Sequence, residues 1–383
     1  MTNNQLQRLR DCGQSLWMDY LSRDLIQSGE LKQKVDEGWL RGITSNPSIF
    51  EKAIKGNQTY QPDIEEGIRN KWSAQQIFES LAIEDIRNAC DILHPVFEET
   101  DGLDGYVSIE VSPLLAKNAQ GTLEEARRLY KAIERPNVMI KIPGTSEGME
   151  AIEQVIYEGI NVNVTLLFSV DMYARAAEAY IRGLERRAEE GQPINKLSSV
   201  ASFFISRIDS KIDEQLDSRL KREGTESLNM EKRLEAFKGK VAIANAKMAY
   251  QKYLELFNGD RWQALKDKGA NPQRLLWAST STKNPNFSDV LYVNELVGRD
   301  TVNTMPVETI EACADHCEVG CDRIEADLDE AHNIINSLSD SDIEIDLNSV
   351  MEELLEEGIE KFNQPYNSLL ESIEEKVKQL ATA

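Results

Sequence analysis

Short apolar runs alternate along this chain with longer charged stretches in which apolar positions recur every three to four residues. The first read as strands and the second as helices, because side chains alternate faces in a strand and return to one face about every turn in a helix. The strand candidates are Ser15–Leu21, Gly42–Asn46, Gly105–Ser112, Asn137–Ile142, Asn161–Phe168, Ser198–Ile205, Leu275–Ser281 and Thr301–Met305. Asp171–Glu190, rich in Ala and Arg and stopped by Gly191, typifies the helical segments between them. Strands joined through helices make a parallel sheet, and eight is the count that closes one into a barrel. The expected fold class is α/β, a (β/α)8 TIM barrel with extra C-terminal helices. An open doubly wound sheet would announce itself by a Gly-rich turn after its first strand, and none follows Leu21.

Two regions depart from the alternation. Asn271–Arg299 is loop-rich around the seventh run, and an acidic, helix-rich stretch follows Pro306. Residues 1–320 are expected to form the barrel, and 321–383 an acidic helical extension packed on it. In that extension Val350, Leu354, Leu355, Ile359, Phe362, Tyr366, Leu369, Leu370, Ile373, Val377 and Leu380 trace one helix face, a stripe that calls for burial. Pro365 is expected to kink or divide this helix.

Composition narrows the function classes. A hydrophobic content of 41% with 28% charged residues suits a soluble globular enzyme. No apolar stretch is long enough to span a bilayer, and the first ten residues lack a signal-peptide core, so a cytoplasmic location is expected. Five cysteines without a disulfide-framework spacing fit a reducing compartment. A formal net charge of −23 argues against nucleic acid and anionic membranes as partners. A phosphate ester would need local cations against that acidic background.

Catalytic groups in such barrels come from the C-terminal ends of different strands, so polar residues there, in otherwise apolar runs, carry the chemistry. In Asn137-Val-Met-Ile-Lys-Ile-Pro-Gly144, Lys141 sits between Ile140 and Ile142. A buried ammonium is costly, so a lysine so placed is expected to lose part of its proton affinity or to find a carboxylate. The first outcome gives a nucleophile for ketones and the second a structural ion pair; this residue alone does not separate them. In Asn161-Val-Asn-Val-Thr-Leu-Leu-Phe168, strand period puts Asn163 and Thr165 on one face. Ser202 and Phe204 share a face of the sixth run, with Arg207 just beyond. Glu110, Asp19 and Asn46 lie at the ends of the third, first and second runs. Each singly reads more readily as a cap or turn residue. Six strands with polar groups at the same end read as a shared site.

Three motifs carry a family resemblance. Gly42-Ile-Thr-Ser-Asn-Pro-Ser-Ile-Phe50, the stretch from Val138 to Phe168, and Ser202-Phe-Phe-Ile-Ser-Arg207 resemble signatures of the transaldolases. The likeness runs from about Ser15 to Pro306 and is nearest to the longer bacterial members with an extended C-terminal region. It implies a metal-free, cofactor-free transfer of a dihydroxyacetone unit from sedoheptulose 7-phosphate to glyceraldehyde 3-phosphate in the pentose phosphate pathway. Lys141 would form a Schiff base with C2 of the ketose, and Asp19 would act as base and then acid on the C4 hydroxyl. Glu110 and Thr165 would hold the water that shuttles protons. Asn46 and Asn163 would bind hydroxyls of the three-carbon unit. Ser202 and Arg207 would hold the phosphate, with Phe204 against the substrate. The family often places an arginine after the seventh strand; here Lys283 stands in that stretch, a point charge without the guanidinium fork. Partners are then sugar phosphates, and the chain a monomer or homodimer.

Amine chemistry also fits the histidine count. A zinc-dependent aldolase needs His ligands, whereas the three here, His94, His316 and His332, stand in no strand-end motif. Cys313, Cys317 and Cys321 recur every four residues but match no standard metal spacing; they read as buried or incidental. Asp342, Glu344, Asp346 and Glu353 imitate a calcium loop, but Leu347 lies where that loop needs glycine. Gly144–Gly148 reads either as a phosphate cradle or as a helix start capped by Thr145 or Ser146. Two rival functions stand beside the transferase. One is a related aldolase that releases free dihydroxyacetone; the other is a non-catalytic sugar-phosphate-binding barrel, whose mark would be loss of Lys141, Asp19 or Glu110.

Overall fold

The computed structural model describes residues 4–223 and 228–381. Eight strands close in sequence order into an all-parallel barrel: β1 (Gln14–Met18), β2 (Leu40–Thr44), β3 (Tyr106–Glu110), β4 (Val138–Pro143), β5 (Val162–Leu167), β6 (Ser199–Phe204), β7 (Arg274–Ala278) and β8 (Thr301–Met305). β8 pairs with β1, with Gln14 opposite Thr301 and Met18 opposite Met305. All eight expected strands are present. Several stop short of their expected C-terminal ends, so Asp19, Asn46 and Ser281 fall in the loops that follow.

The strands are buried on both faces, which is why they read as near-continuous apolar runs. Toward its N-terminal end the barrel is plugged by Trp17 and an ionic network. Asp104 accepts hydrogen bonds from Ser15 Oγ at 2.6 Å, Trp17 Nε1 at 3.2 Å and Arg274 Nη2 at 2.9 Å. Burial by itself would push the Asp104 carboxyl up, but the Arg274 charge and these bonds hold it below its usual range. Gly42 makes room for the plug, since a Cβ there would lie 2.5 Å from the Trp17 ring. The charged groups at this end are thus paired with one another, and the opposite end is left for a site.

The C-terminal helix, Leu347–Ala381, lies along the helices Pro47–Ile54 and Ala74–Glu99 and touches β5. Val350, Leu354, Phe362, Tyr366, Leu369 and Ile373 are buried, as the stripe required; the Leu380 side chain lies outside the described residues. The helix runs on through Pro365 rather than dividing there. A proline costs one helical hydrogen bond, and burial of Phe362 and Tyr366 on either side of it holds both turns in place. Among the described residues no helix is long and apolar enough to cross a membrane.

Cys313 and Cys317 are buried, as one half of the expectation had it, but the cysteines are not incidental thiols. Cys12 bonds Cys321, their Cα atoms 4.9 Å apart across 309 residues of sequence, and Cys313 bonds Cys317. Cys90 remains a buried thiol. The helices Asn4–Asp11 and Val307–His316 pack together, which brings Cys12 beside the turn holding Cys321; no sequence spacing could show this. The helix ends at His316, so the cysteines form no single stripe.

Two measurements follow from this framework. The first concerns Asp209, buried in the helix Ser206–Glu223, which accepts from Ala242 N at 2.7 Å and Tyr292 Oη at 2.8 Å. Burial, helped by neighbouring Asp213, pushes its carboxyl from 3.8 up to about 7. A carboxyl raised in this way keeps its proton in the folded chain after the unfolded chain has lost it. Stability therefore falls as pH climbs through that window. Asp209→Asn is expected to flatten the fall in Tm between about pH 4 and about pH 8, and equal slopes in both proteins would refute the assignment. The second concerns the long-range disulfide, whose reduction is expected to lower unfolding free energy by about 2–4 kcal/mol. Most of that reductant effect should vanish in Cys12→Ser. Denaturant melts with and without thiol, and non-reducing peptide maps, test this.

Candidate active site

The register around β4 builds the centre of the site. Glu110 of β3 pairs with Lys141, and Lys141 pairs with Asn163 of β5. Paired residues of neighbouring parallel strands face the same way, so all three point into the barrel. Lys141 is 4% exposed. Its Nζ donates to the Ser45 carbonyl at 3.0 Å and lies 3.6 Å from Glu110 Oε2. The Thr-Ser-Asn-Pro turn sets that carbonyl. β2 stops at Thr44, Ser45 Oγ donates to the Ser108 carbonyl at 2.7 Å, and Asn46 Oδ1 caps the next helix by accepting from Ile49 N at 3.0 Å. Asn46 is therefore a cap as well as a wall of the cavity.

Two carboxyls flank the amine in different settings. Burial pushes Glu110 up to about 7 despite the opposing pull of the Lys141 charge. Neither of its carboxylate oxygens, nor Thr165 Oγ1, has a hydrogen-bond partner. Buried polar atoms rarely stay unpaired, so three such acceptors here mark a place where bound molecules complete the bonding. Asp19 follows β1 and accepts from Thr44 Oγ1 at 2.6 Å, while Thr44 in turn meets Thr304 Oγ1 at 2.7 Å. Burial raises the Asp19 carboxyl, with Lys141 and Thr44 working against it. Beyond Thr165 the β5–β6 ladder shifts register, and Leu166 takes a left-handed φ of 60°. Such backbone strain costs about 1–3 kcal/mol and clusters at functional sites.

At the far side of the cavity Arg207 opens the helix Ser206–Glu223. Its guanidinium lies 5.0 Å from the Phe204 ring and 6.0 Å from the Phe362 ring. Its Nη1 is buried without a partner, and burial lowers its pKa against the pull of Glu357, Asp19 and Glu110. Lys34, Lys52, Lys283 and Lys361 line the same cavity. This cation cluster sits within a chain of net charge −23, as binding of a phosphate ester requires. Lys283 is exposed at the rim, and its Nζ donates to Ser281 Oγ at 2.7 Å.

The cavity measures about 1040 Å³. Asp19, Asn46, Lys141, Thr165, Ser202, Phe204, Arg207 and Lys283 all line it. Glu110 lies behind the amine instead, on a small pocket of about 30 Å³ shared with Ser112, Glu125 and Tyr366. Asn163 is fully buried beneath the wall, donating to Ser108 Oγ at 3.1 Å and accepting from Ser202 Oγ at 2.7 Å. In this position it orients Ser202.

Thr44, Ser45, Lys52 and Phe362 complete the site. Strand-end position is the signal the sequence offers for the first two; Phe362 is hidden in an apolar helix stripe. Thr145 proves to be a helix cap, its Oγ1 accepting from Gly148 N at 3.0 Å. Among the described residues no group of three or more His, Cys, Asp or Glu is placed to hold a metal ion.

Residues 16–373 match the family model described as transaldolase/fructose-6-phosphate aldolase. The chain is 59% identical over 381 residues to "Transaldolase 2" of Nostoc sp. (strain PCC 7120 / SAG 25.82 / UTEX 2576), covering 100% of both proteins. It is 58% identical over 380 residues to the transaldolase of Trichodesmium erythraeum (strain IMS101), covering 99% of each. The transaldolase of Mycobacterium bovis (strain BCG / Pasteur 1173P2) is 43% identical over 353 residues, 92% of each chain. A match across nearly the whole barrel and the C-terminal helix places this chain in the transaldolase/fructose-6-phosphate aldolase family.

Proposed function

We propose that this enzyme is the transaldolase of the pentose phosphate pathway, moving a dihydroxyacetone unit from sedoheptulose 7-phosphate to glyceraldehyde 3-phosphate. The products are erythrose 4-phosphate and fructose 6-phosphate. The observation that carries the reading is a buried lysine held between a carbonyl and a carboxyl, in a cavity that also holds Asp19 and Arg207.

In this reading Lys141 Nζ attacks C2 of the ketose. Glu110, raised to about 7, can both take and give a proton near neutrality, which suits the loss of water from the carbinolamine. A water between Glu110 and Thr165 would carry that proton. Asp19 then removes the proton of the C4 hydroxyl, the C3–C4 bond breaks, and its electron pair flows into the iminium as an enamine. The aldose phosphate leaves. The enamine attacks the aldehyde of the acceptor, Asp19 returns its proton to the new hydroxyl, and hydrolysis of the imine frees the product and Lys141. Arg207 and Ser202, with Lys283 at the rim, would grip the phosphate, while Asn46 would contact the three-carbon unit and Asn163 hold Ser202. Phosphate charges are costly to carry through a bilayer, which favours the cytoplasm as the compartment where such substrates stay.

The family description also covers an aldolase, which would release free dihydroxyacetone. The two readings differ in how well the intermediate is kept from water, and rapid steady release without an acceptor would decide for the aldolase.

Borohydride reduction in the presence of fructose 6-phosphate is expected to leave a three-carbon adduct on the peptide bearing Lys141. Peptide mass mapping reads the outcome; labelling of another lysine, or of none, would overturn the imine mechanism. Arg207→Ala is expected to raise KM for phosphorylated substrates about 10- to 100-fold, the worth of one charge-assisted contact. Free dihydroxyacetone should be far less affected. Equal effects on both would remove Arg207 from the phosphate site.

A further inference from the structure

We infer that Phe362, on the C-terminal helix, is the residue that shields the Lys141-bound three-carbon intermediate from solvent water and so favours transfer over release. The inference rests on the imine reading above. Its ring centroid lies 5.8 Å from Lys141 Nζ and 6.0 Å from the Arg207 guanidinium carbon. One ring thus spans the amine and the phosphate end of the cavity. It lines that open cavity, yet only 5% of the residue is exposed.

The helix is seated where Phe362 needs it. Gly358, one turn earlier on the same face, rides directly on β5: a Cβ there would come 2.9 Å from Leu166 Cδ2 and 3.5 Å from Arg207 Nη1. Lys211 pairs with Glu353 at 2.8 Å and also with Glu357, fixing the helix to Ser206–Glu223, which carries Arg207. On the other side Ser368 Oγ donates to Glu51 Oε1 at 2.6 Å, and Tyr366 meets the Phe78 ring edge-on at 5.8 Å. Anchors before and after Phe362 leave its ring little freedom to move away from Lys141.

The chemistry explains what the ring is for. After C3–C4 cleavage the enamine has two fates. It can attack the acceptor aldehyde, which is transfer. Alternatively its nucleophilic carbon takes a proton from water, hydroxide adds to the iminium carbon, and the carbinolamine collapses with C–N cleavage. That second route consumes one water, releases dihydroxyacetone and returns Lys141 as the amine. Water held near Glu110 serves imine formation, so the site is not dry throughout. An aromatic ring over the amine limits exchange with bulk water, which the second route needs.

The test is a partition ratio with sedoheptulose 7-phosphate as donor and glyceraldehyde 3-phosphate as acceptor: dihydroxyacetone released per fructose 6-phosphate formed. Phe362→Ala is expected to raise the release-to-transfer ratio about tenfold, with the Lys141 adduct still trapped by borohydride. Phe362→Leu, which keeps apolar bulk, should show a smaller rise. If both activities fall in proportion and the ratio stays at the wild-type value, the residue merely packs the helix and the inference fails. Should the alanine variant not fold, the leucine variant decides, and an unchanged ratio there overturns the inference. Absence of any adduct in the wild-type enzyme would instead count against the imine reading itself.

Discussion

An ammonium group at the middle of a closed barrel is the constraint around which this molecule is arranged. In water it would be solvated; between β3 and β5 it has only what the neighbouring strands offer. It receives the Ser45 carbonyl at 3.0 Å and the Glu110 carboxyl at 3.6 Å. The cost passes to those groups. Glu110 is buried deeply enough that desolvation outweighs the attraction of the lysine, and its carboxyl stays near neutrality in proton affinity. The same burial that makes the amine awkward prepares a proton donor and acceptor beside it.

The two ends of the barrel treat their buried charges differently. At one end Asp104, Ser15, Trp17 and Arg274 satisfy one another, leaving a rigid plug. At the other end Glu110, Thr165 and Arg207 keep atoms without partners. Paired polar groups stabilise, while unpaired ones are tolerated where a substrate supplies the missing bonds. The cations gather at that unpaired end within a strongly acidic chain, so they oppose the general repulsion of anions at the cavity.

Much of the site was legible because strand ends are. Lys141, Asp19, Thr165, Ser202 and Arg207 stand out as polar residues within or just past apolar runs, and period two assigns them a face. Asn163 was legible as inward but not as submerged, since depth inside a barrel depends on how neighbouring strands stagger. Phe362 was one of eleven apolar positions in a helix stripe, with nothing local to mark it as the one above the amine. Cys12 and Cys321 are separated by 309 residues, and only the meeting of the first helix with the segment after β8 brings them together.

The sequence by itself determined the order of strands and helices, the faces of the strands and the presence of an amine, two carboxyls and an arginine at strand ends. These follow from local periodicity and from the few residue types able to do the chemistry. The tertiary structure decided which groups meet: Glu110 behind Lys141, Asn163 beneath Ser202, Thr44 on Asp19, and the Phe362 ring across the cavity. Those pairings depend on strand register and on where a distant helix comes to rest. Both are set by closing the barrel and burying the C-terminal stripe, neither of which is a property of any short stretch of chain.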